Sequence, residues 1–573
     1  MPYSTISNTL GQSDLMTKLL AEKNAARELK ERRYSEWNQN YELYRNKVKT
    51  NRLTQRQEVN IPLMKETIKT LLSKVDDAPT VDWKELSGDG MKELYFQEWW
   101  NHDYERLNLE GIDIQDKKTV LLYGRSFKKL NWLDNGFGCQ SLDIYDVLID
   151  PLTDPLDIES ARYIIHQNIF RTLRDILADD RYSTEGKNKL KIFLLSSEGI
   201  IQQGKDKEEW EKKMDRLKAL GVSSGDFDLF AGGDVMVNLC EHYTNIWNTK
   251  KKAFERRVVV YANDTIELLN ESLEDLLGVN FWPFVSWAED VETQDVWSDS
   301  VADLVRTPNQ VVNIWFSQLV ENRTLRNFQM HWYDATQEGY TPQTYEPGPG
   351  RMLPAPGDPN KTILPVNIQG LDETLTAIQF VTTLIERGTG ATAIEKGQGE
   401  KRQTTLGEVQ ILVGKAQERA IAMSKAYRRA WFEFANKYYE LNAANSSEKR
   451  TLYKTAKGVV YPKTVFPADW KSEKGYKPIV ASTSEQEEES TKGLQKFQFI
   501  LQQFPENQVL KRIAQKRMLE TVDLTPEELK EVEEAQKQAE QLMQQQAQLQ
   551  AQQPIEGGIP SPINAPAPAP IIA

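Results

Sequence analysis

Apolar residues between Thr404 and Asn442 recur at three- and four-residue steps: Val409, Leu412, Ala416, Ala420, Met423, Tyr427, Trp431, Phe434 and Tyr438. That spacing predicts one amphipathic helix, roughly 55–60 Å long at ~1.5 Å per residue. No single small domain buries a helix of that length, so it must lie along a large assembly or join two domains. Two shorter helices precede it. One spans about Ser300 to Asn327, with Val301, Leu304, Val305, Val312, Trp315 and Leu319 as its apolar positions. The other spans about Leu371 to Arg387, with Leu371, Leu375, Ile378, Val381, Leu384 and Ile385. A Pro/Gly-rich excursion separates them, and a Gly-rich loop from Gly388 follows. One thin hairpin cannot bury both stripes, whereas neighbouring copies standing side by side could. Pro308 removes one helix hydrogen bond and is expected to kink or restart the first of these helices.

Elsewhere the pattern alternates between the two periods. Helical spacing covers Ser13–Tyr44, Leu63–Val75 and Met91–Asn108. Strand-like runs follow at Thr119–Tyr123, Phe127–Trp132, Ser141–Ile149, Ala161–Phe170, Val235–Tyr243, Arg257–Tyr261 and Ile266–Leu269. Turn chemistry falls at Asp134-Asn135-Gly136 and Asn263-Asp264, and Thr172 opens a short helix. Residues 119–290 therefore read as a mixed α+β domain. Short strands are expected at Arg450–Tyr453 and Gly458–Tyr461. Helical segments are expected at Leu494–Phe504 and from Thr525-Pro526-Glu527-Glu528 to Gln552, the latter too Gln-rich to be stable alone. The tail after Pro554 is Pro-rich and reads as disordered or polyproline. There is no internal repeat.

Composition narrows the chemistry. The chain of 573 residues carries 71 Lys+Arg against 84 Asp+Glu, a net charge of −13. A surface built to grip nucleic acid tightly needs clustered cations, so this balance suits at most a neutral or repulsive DNA path. Cys139 and Cys240 cannot make a disulfide framework or a four-cysteine metal site, which fits a reducing compartment. No apolar run reaches a membrane span, and Met1-Pro2-Tyr3-Ser4-Thr5 does not open like a signal peptide.

Candidate catalytic features are weak. Gly199-Ile-Ile-Gln-Gln-Gly204-Lys205-Asp206 nearly matches a phosphate-binding loop. Asp206 stands where a Ser or Thr must hold magnesium, and its charge would repel phosphate. His102, His166, His242 and His331 are scattered. Cys240 with His242 reads as a partly buried strand face rather than a metal site. Asp146, Asp150, Asp154 and Asp157 read as solvated turn carboxylates rather than a cation site. The stripe Tyr427/Trp431/Phe434/Tyr438 reads as core or subunit interface rather than a base-stacking platform. Neither a cofactor nor a metal is called for.

The order of these segments resembles the portal proteins of tailed bacteriophages, most like those of short-tailed phages. The resemblance rests on Arg33–Tyr44, on Tyr123–Trp132, on Ile144–Pro151 and on Ala161–His166. It continues through Pro283–Trp287, Trp297–Ser300 and Asn309–Asn313, and through the Gly-rich loop before Thr404. It implies a portal-type α+β subunit with a mixed wing, a helical hairpin stem, an irregular or β clip and a helical crown. Residues 1–296 would form the wing, with 448–485 returning to it. Residues 297–327 and 371–387 would be the stem helices, 328–370 the clip and 388–403 the tunnel loop. Residues 404–447 would be a long helix linking channel to wing and crown, 486–552 the crown and 553–573 the tail.

The resemblance further implies a non-enzymatic ring, usually of twelve subunits, at one capsid vertex, assembled in the host cytoplasm. Double-stranded DNA would pass non-specifically through its channel in packaging and ejection. The other partners implied are the terminase large subunit, the major capsid and scaffolding proteins, and a tail or neck adaptor; no membrane is involved. Lys396, Gln398, Lys401 and Arg402 would face the channel. Val312, Trp315, Leu319, Leu375 and Ile378 would pack the stem and its subunit contacts. Another neck or adaptor ring protein is the alternative, and a DNA-packaging enzyme a third; an enzyme would need the phosphate loop or metal cluster that this chain lacks.

Overall fold

The computed structural model describes residues 12–47, 59–75, 80–86, 90–133, 136–196, 235–248, 251–327, 331–333, 358, 363–365, 367–390, 406–456 and 459–481. Helices α1 (Gln12–Tyr44), α2 (Leu63–Lys74), α3 (Gly90–Arg106) and α4 (Leu109–Tyr123) surround strand β1 (Thr80–Glu85) in sequence. Then come β2 (Arg125–Leu133), β3 (Gly136–Ser141), β4 (Val147–Ile149), β5 (Tyr163–Thr172), α5 (Leu173–Ala178) and α6 (Thr184–Leu194). Strands β6 (Met236–Asn248), β7 (Ala253–Ala262) and β8 (Ile266–Ser272) lead to α7 (Leu273–Leu277) and β9 (Phe284–Ala288). Two helices, α8 (Val301–Asn327) and α9 (Asp372–Thr389), flank the short paired strands β10 (His331–Tyr333) and β11 (Ile363–Pro365). The 40-residue α10 (Leu406–Asn445) precedes β12 (Arg450–Ala456), β13 (Val459–Val465), α11 (Pro467–Trp470) and β14 (Tyr476–Ala481).

Among the described residues the strands form an antiparallel five-stranded sheet in the order β4-β5-β6-β7-β8, a three-stranded sheet β3-β2-β9 and the two-stranded pairs β1-β14, β10-β11 and β12-β13. The large sheet is buried on both faces, which explains its apolar runs. Along β7, Val259 and Tyr261 point with Leu148, Tyr163, Ile165 and Cys240 toward Leu15, Met16, Leu19 and Ala26 of α1. Val258 and Val260 point the other way, into the main core with Ile164 and Tyr243. The β7–β8 turn takes positive φ at Asn263 and Asp264, 55° and 56°, as a tight hairpin demands. Thr172 caps α5 through the Asp175 N–H at 3.1 Å.

Two expectations change, and of the kink or restart expected at Pro308 the restart is absent. Thr119–Tyr123 is the end of a helix, not a strand. Asn108 caps α4 through the Gly111 N–H at 3.3 Å, and Gly124 ends it at φ 88°. A Cβ at Gly124 would meet the Ser298 carbonyl oxygen at 2.0 Å, so both backbone angle and space require glycine. A five-residue apolar run fits a buried helix end as well as a strand. The Ser141–Ile149 stretch is broken by a 3₁₀ turn at Ile144–Asp146, which Asp143 caps through the Tyr145 N–H at 3.1 Å. Helix α8 runs through Pro308 without restarting. Finally, β1 is an element that periodicity missed: it pairs in register with β14, from Thr80↔Ala481 to Glu85↔Tyr476.

Candidate functional site

The hairpin of α8 and α9 is the feature that the rest of the chain positions. Its first turn is set locally. Ser300 Oγ accepts from the Asp303 N–H at 3.1 Å and Asp303 Oδ2 accepts from the Ser300 N–H at 2.9 Å, a reciprocal cap. Asp303 also receives Asn40 Nδ2 at 2.9 Å, Arg33 at 3.2 Å and Arg306 at 2.6 Å, which locks α8 to α1. Burial alone would raise the Asp303 pKa, but hydrogen bonds from Asn40 and Ser300 and the Arg33 charge hold it below the usual carboxylate range.

One helical stripe of α8 is polar and serves as a staple. Asn309, Asn313 and Ser317 stand at i, i+4 and i+8, so they share a face. They accept the N–H groups of Met64, Ile61 and Val59 at 3.0, 2.8 and 3.0 Å. Asn309 Nδ2 also donates to the Ile61 carbonyl at 3.3 Å. The segment entering α2 is thus held along α8 by side chains rather than by strand pairing. At the other end of α8, Asn322 Nδ2 donates to the Gln369 carbonyl at 2.9 Å and ties the return chain to it.

Of the residues expected to pack this hairpin, Val312 is buried within the subunit, Trp315, Leu319 and Ile378 are half-buried, and Leu375 is 50% exposed. Leu304, Ile314, Phe380 and Leu384 also face outward. Ile385 closes the inner side. The four expected channel residues, Lys396, Gln398, Lys401 and Arg402, lie outside the described residues, as does the Gly199–Asp206 segment. Helix α9 ends at Gly390, whose φ of 75° allows a left-handed cap.

Helix α10 is anchored by buried carboxylates. Tyr427, Trp431, Phe434 and Tyr438 are all buried within the subunit, so this stripe is intramolecular core. Asp113, buried, accepts from the Tyr427 hydroxyl and from Trp431 Nε1 at 2.9 Å, and pairs with Lys117 at 2.9 Å and Lys128 at 3.4 Å. Burial, then the Asp113 charge, pushes the Tyr427 pKa well up. Two turns on, Asp103 receives the Tyr438 hydroxyl at 2.9 Å and Arg450 at 3.2 Å. Lys437 reaches Glu159 at 2.7 Å and the carbonyls of Trp282 and Phe284 at 3.1 and 2.6 Å. Trp99 Nε1 donates to Asn442 Oδ1 at 3.1 Å. Each is a charge or polar group whose burial is offset by several partners.

Sequence reasoning noted the aromatic stripe but missed Asp103, Asp113 and Asn309. Their only signal was a polar residue set into an apolar pattern, which solvated positions share. The weak candidates resolve plainly. His242 is buried with Nε2 2.9 Å from Glu22, and the Cys240 thiol donates to Tyr261 Oη at 3.2 Å. Asp146 and Asp150 are buried, not solvated as expected: Asp146 accepts from Asn168 Nδ2 at 2.9 Å and Asp150 is held by Arg162 through 2.6 and 2.7 Å contacts, whereas Asp154 and Asp157 are exposed and cap turn N–H groups. Among the described residues no group of His, Cys, Asp and Glu could hold a metal ion, and no helix is long and apolar enough to cross a membrane.

No curated protein matches the chain. The family model for the phage SU10 portal protein matches residues 13–556, which takes in the stapled hairpin, the anchored long helix and the five- and three-stranded sheets. The chain therefore belongs to the SU10 family of phage portal proteins and is a phage portal protein.

Proposed function

We propose that copies of this chain stand around an axis as a ring at one capsid vertex, leaving a bore for double-stranded DNA in packaging and ejection. One observation carries the reading. The hairpin is anchored on its inner side by Asp303 and the Asn309–Asn313–Ser317 staple, yet leaves Leu304, Ile314, Leu375, Phe380 and Leu384 exposed. A rigidly held apolar surface marks an interface, and identical subunits side by side cover it.

In this reading α8 and α9 are the stem, residues 328–370 the clip and 388–403 the tunnel loop, with Lys396, Gln398, Lys401 and Arg402 toward the DNA. Residues 1–296 are the wing, and the β1–β14 pairing supports the return of 448–485 to it. Residues 404–447 link channel to wing, and 486–552 are the crown. The clip docks the terminase large subunit and later the tail or neck adaptor. Capsid and scaffolding proteins meet the outer surface, and assembly takes place in the host cytoplasm. The subunit is not an enzyme: a separate ATPase moves the DNA, and a chain of net charge −13 suits a channel that does not grip it tightly.

Native mass measurement with negative-stain imaging of the purified full chain tests the reading. Annular particles of about twelve copies are expected, and no ATP hydrolysis with or without DNA. A compact monomer at every concentration, or an ATPase rate abolished by Lys205→Ala, would overturn it.

A further inference from the structure

Leu195, Leu152 and Ile192 are the three most exposed large aliphatic side chains among the described residues, at 86%, 78% and 72%. They stand at opposite edges of the five-stranded sheet. Leu152, with Leu156 at 60% exposure, sits on the loop leaving edge strand β4. That loop is braced. Asp150 holds Arg162, the Asp154 and Asp157 carboxylates accept the Leu156 and Glu159 N–H groups at 2.9 and 3.0 Å, and buried Arg125 donates to the Pro155 carbonyl at 2.8 Å. Ile192 and Leu195 sit at the end of α6, which lies on the other edge strand, β8. The Ser183 N–H before α6 donates to the Leu268 carbonyl at 2.8 Å, and a Cβ on Gly186 would stand 2.4 Å from the Glu267 oxygen.

The charges around the two patches are opposite. Asp154 and Asp157 are exposed beside Leu152 and Leu156, with no basic side chain paired to either among the described residues. Lys191 adjoins Ile192 at the end of α6 and half-buried Lys187 lies more than a turn before it; among the described residues their neighbour Lys189 is paired, with Glu185 at 2.7 Å, and they are not. The loop after β4 is apolar and acidic, whereas α6 carries three lysines against Glu185 and ends on the apolar pair Ile192 and Leu195. Such surfaces complement each other only head to tail, and head-to-tail contacts close into rings when the rotation closes. Opposite charges at the rim fix which edge meets which.

We propose that successive subunits meet edge to edge, the Leu152/Leu156 loop of one copy seated against the Ile192/Leu195 end of α6 on the next. The partner is a second copy of this chain. This inference rests on the ring reading above and adds to it a second contact, separate from the stem.

The test pairs one cysteine from each patch in the full chain: Leu152→Cys or Leu156→Cys with Ile192→Cys or Leu195→Cys. Mild oxidation of assembled rings should give a reducible ladder of covalent multimers in at least one of the four pairs and none in the single variants. A second measurement needs no substitution. Carbodiimide coupling in rings mixed from ¹⁴N and ¹⁵N subunits should join Lys187 or Lys191 to Asp154 or Asp157 across isotopes. Rings that give neither product overturn the contact, whether the chain's own residues 197–234 or another virion protein covers the patches. If the wild-type chain forms no rings at all, the ring reading fails and the contact with it.

Discussion

The Ile61 N–H donates to Asn313 Oδ1 at 2.8 Å, joining residues 252 positions apart. Asn313 is nearly buried, so its loss leaves a donor without a partner. Asn313→Ala is expected to cost about 1–3 kcal/mol and to loosen the segment entering α2. Chemical denaturation reads the first. Limited proteolysis reads the second, as faster cleavage between Lys47 and Leu63. Unchanged cleavage would mean that the staple is incidental.

Asp113 holds α10 in register through Tyr427 and Trp431, pairs with Lys117 and shares Lys128 with Asp116. Removing one partner of a buried ionic group strands the others. Asp113→Ala should therefore cost about 3–5 kcal/mol, measured as a fall in the denaturant midpoint. Asp113→Asn keeps the shape and should lose less. Equal losses would show that charge alone, and not the shape of the side chain, holds the helix.

Acid should weaken the sheet. Burial would raise the Glu241 pKa, but Lys129 and His166 outweigh it and hold it at about 2, against an ordinary 4.5. Arg181 likewise holds Asp179 at about 2 through a 2.6 Å contact. A folded-state pKa below the unfolded one gives stability that is complete above the unfolded value and lost as pH falls toward the folded one. The melting temperature should drop between pH 4.5 and about 2, and Glu241→Gln should flatten that drop. An identical slope in the variant would remove Glu241 from the account.

The exposed stem side chains separate folding from assembly. Ile314→Glu and Phe380→Glu should leave subunit stability within about 0.5 kcal/mol, as surface substitutions do, while abolishing annular particles in micrographs. Intact rings carrying both charges would place the stem contact elsewhere.

Neither cysteine should react in the native subunit. Burial pushes the thiol of half-buried Cys139 up to about 12 and that of buried Cys240 up to about 11, so thiolate is scarce at neutral pH. Mass spectrometry after maleimide treatment should find both unmodified until denaturant is added. Rapid labelling would expose an opening of the fold.

Periodicity located the long helices well because one-sided burial over many turns leaves a repeated mark. α1, α8 and α10 begin within two residues of their expected starts, and α9 begins one residue late. The five-residue run Thr119–Tyr123 carried too little repetition to choose between a strand and a helix end, and Gly124 against Ser298 settled it. β1 was unreadable for a different cause: its partner β14 lies at the far end of the described chain, and a strand's pairing leaves no local trace. The staple went unread. Asn309, Asn313 and Ser317 share a stripe, but the same spacing would serve a solvated face.

By itself the amino-acid sequence determined the helical hairpin, the mixed sheet region and the family, because each is written in local periodicity or in the order of short segments. Only tertiary structure decided which polar side chains are buried anchors, which aromatic stripe is core, and which apolar residues remain uncovered. Those outcomes depend on what a distant segment brings opposite each side chain: burial is a property of pairs of surfaces, and a single chain of letters specifies only one member of each pair at a time.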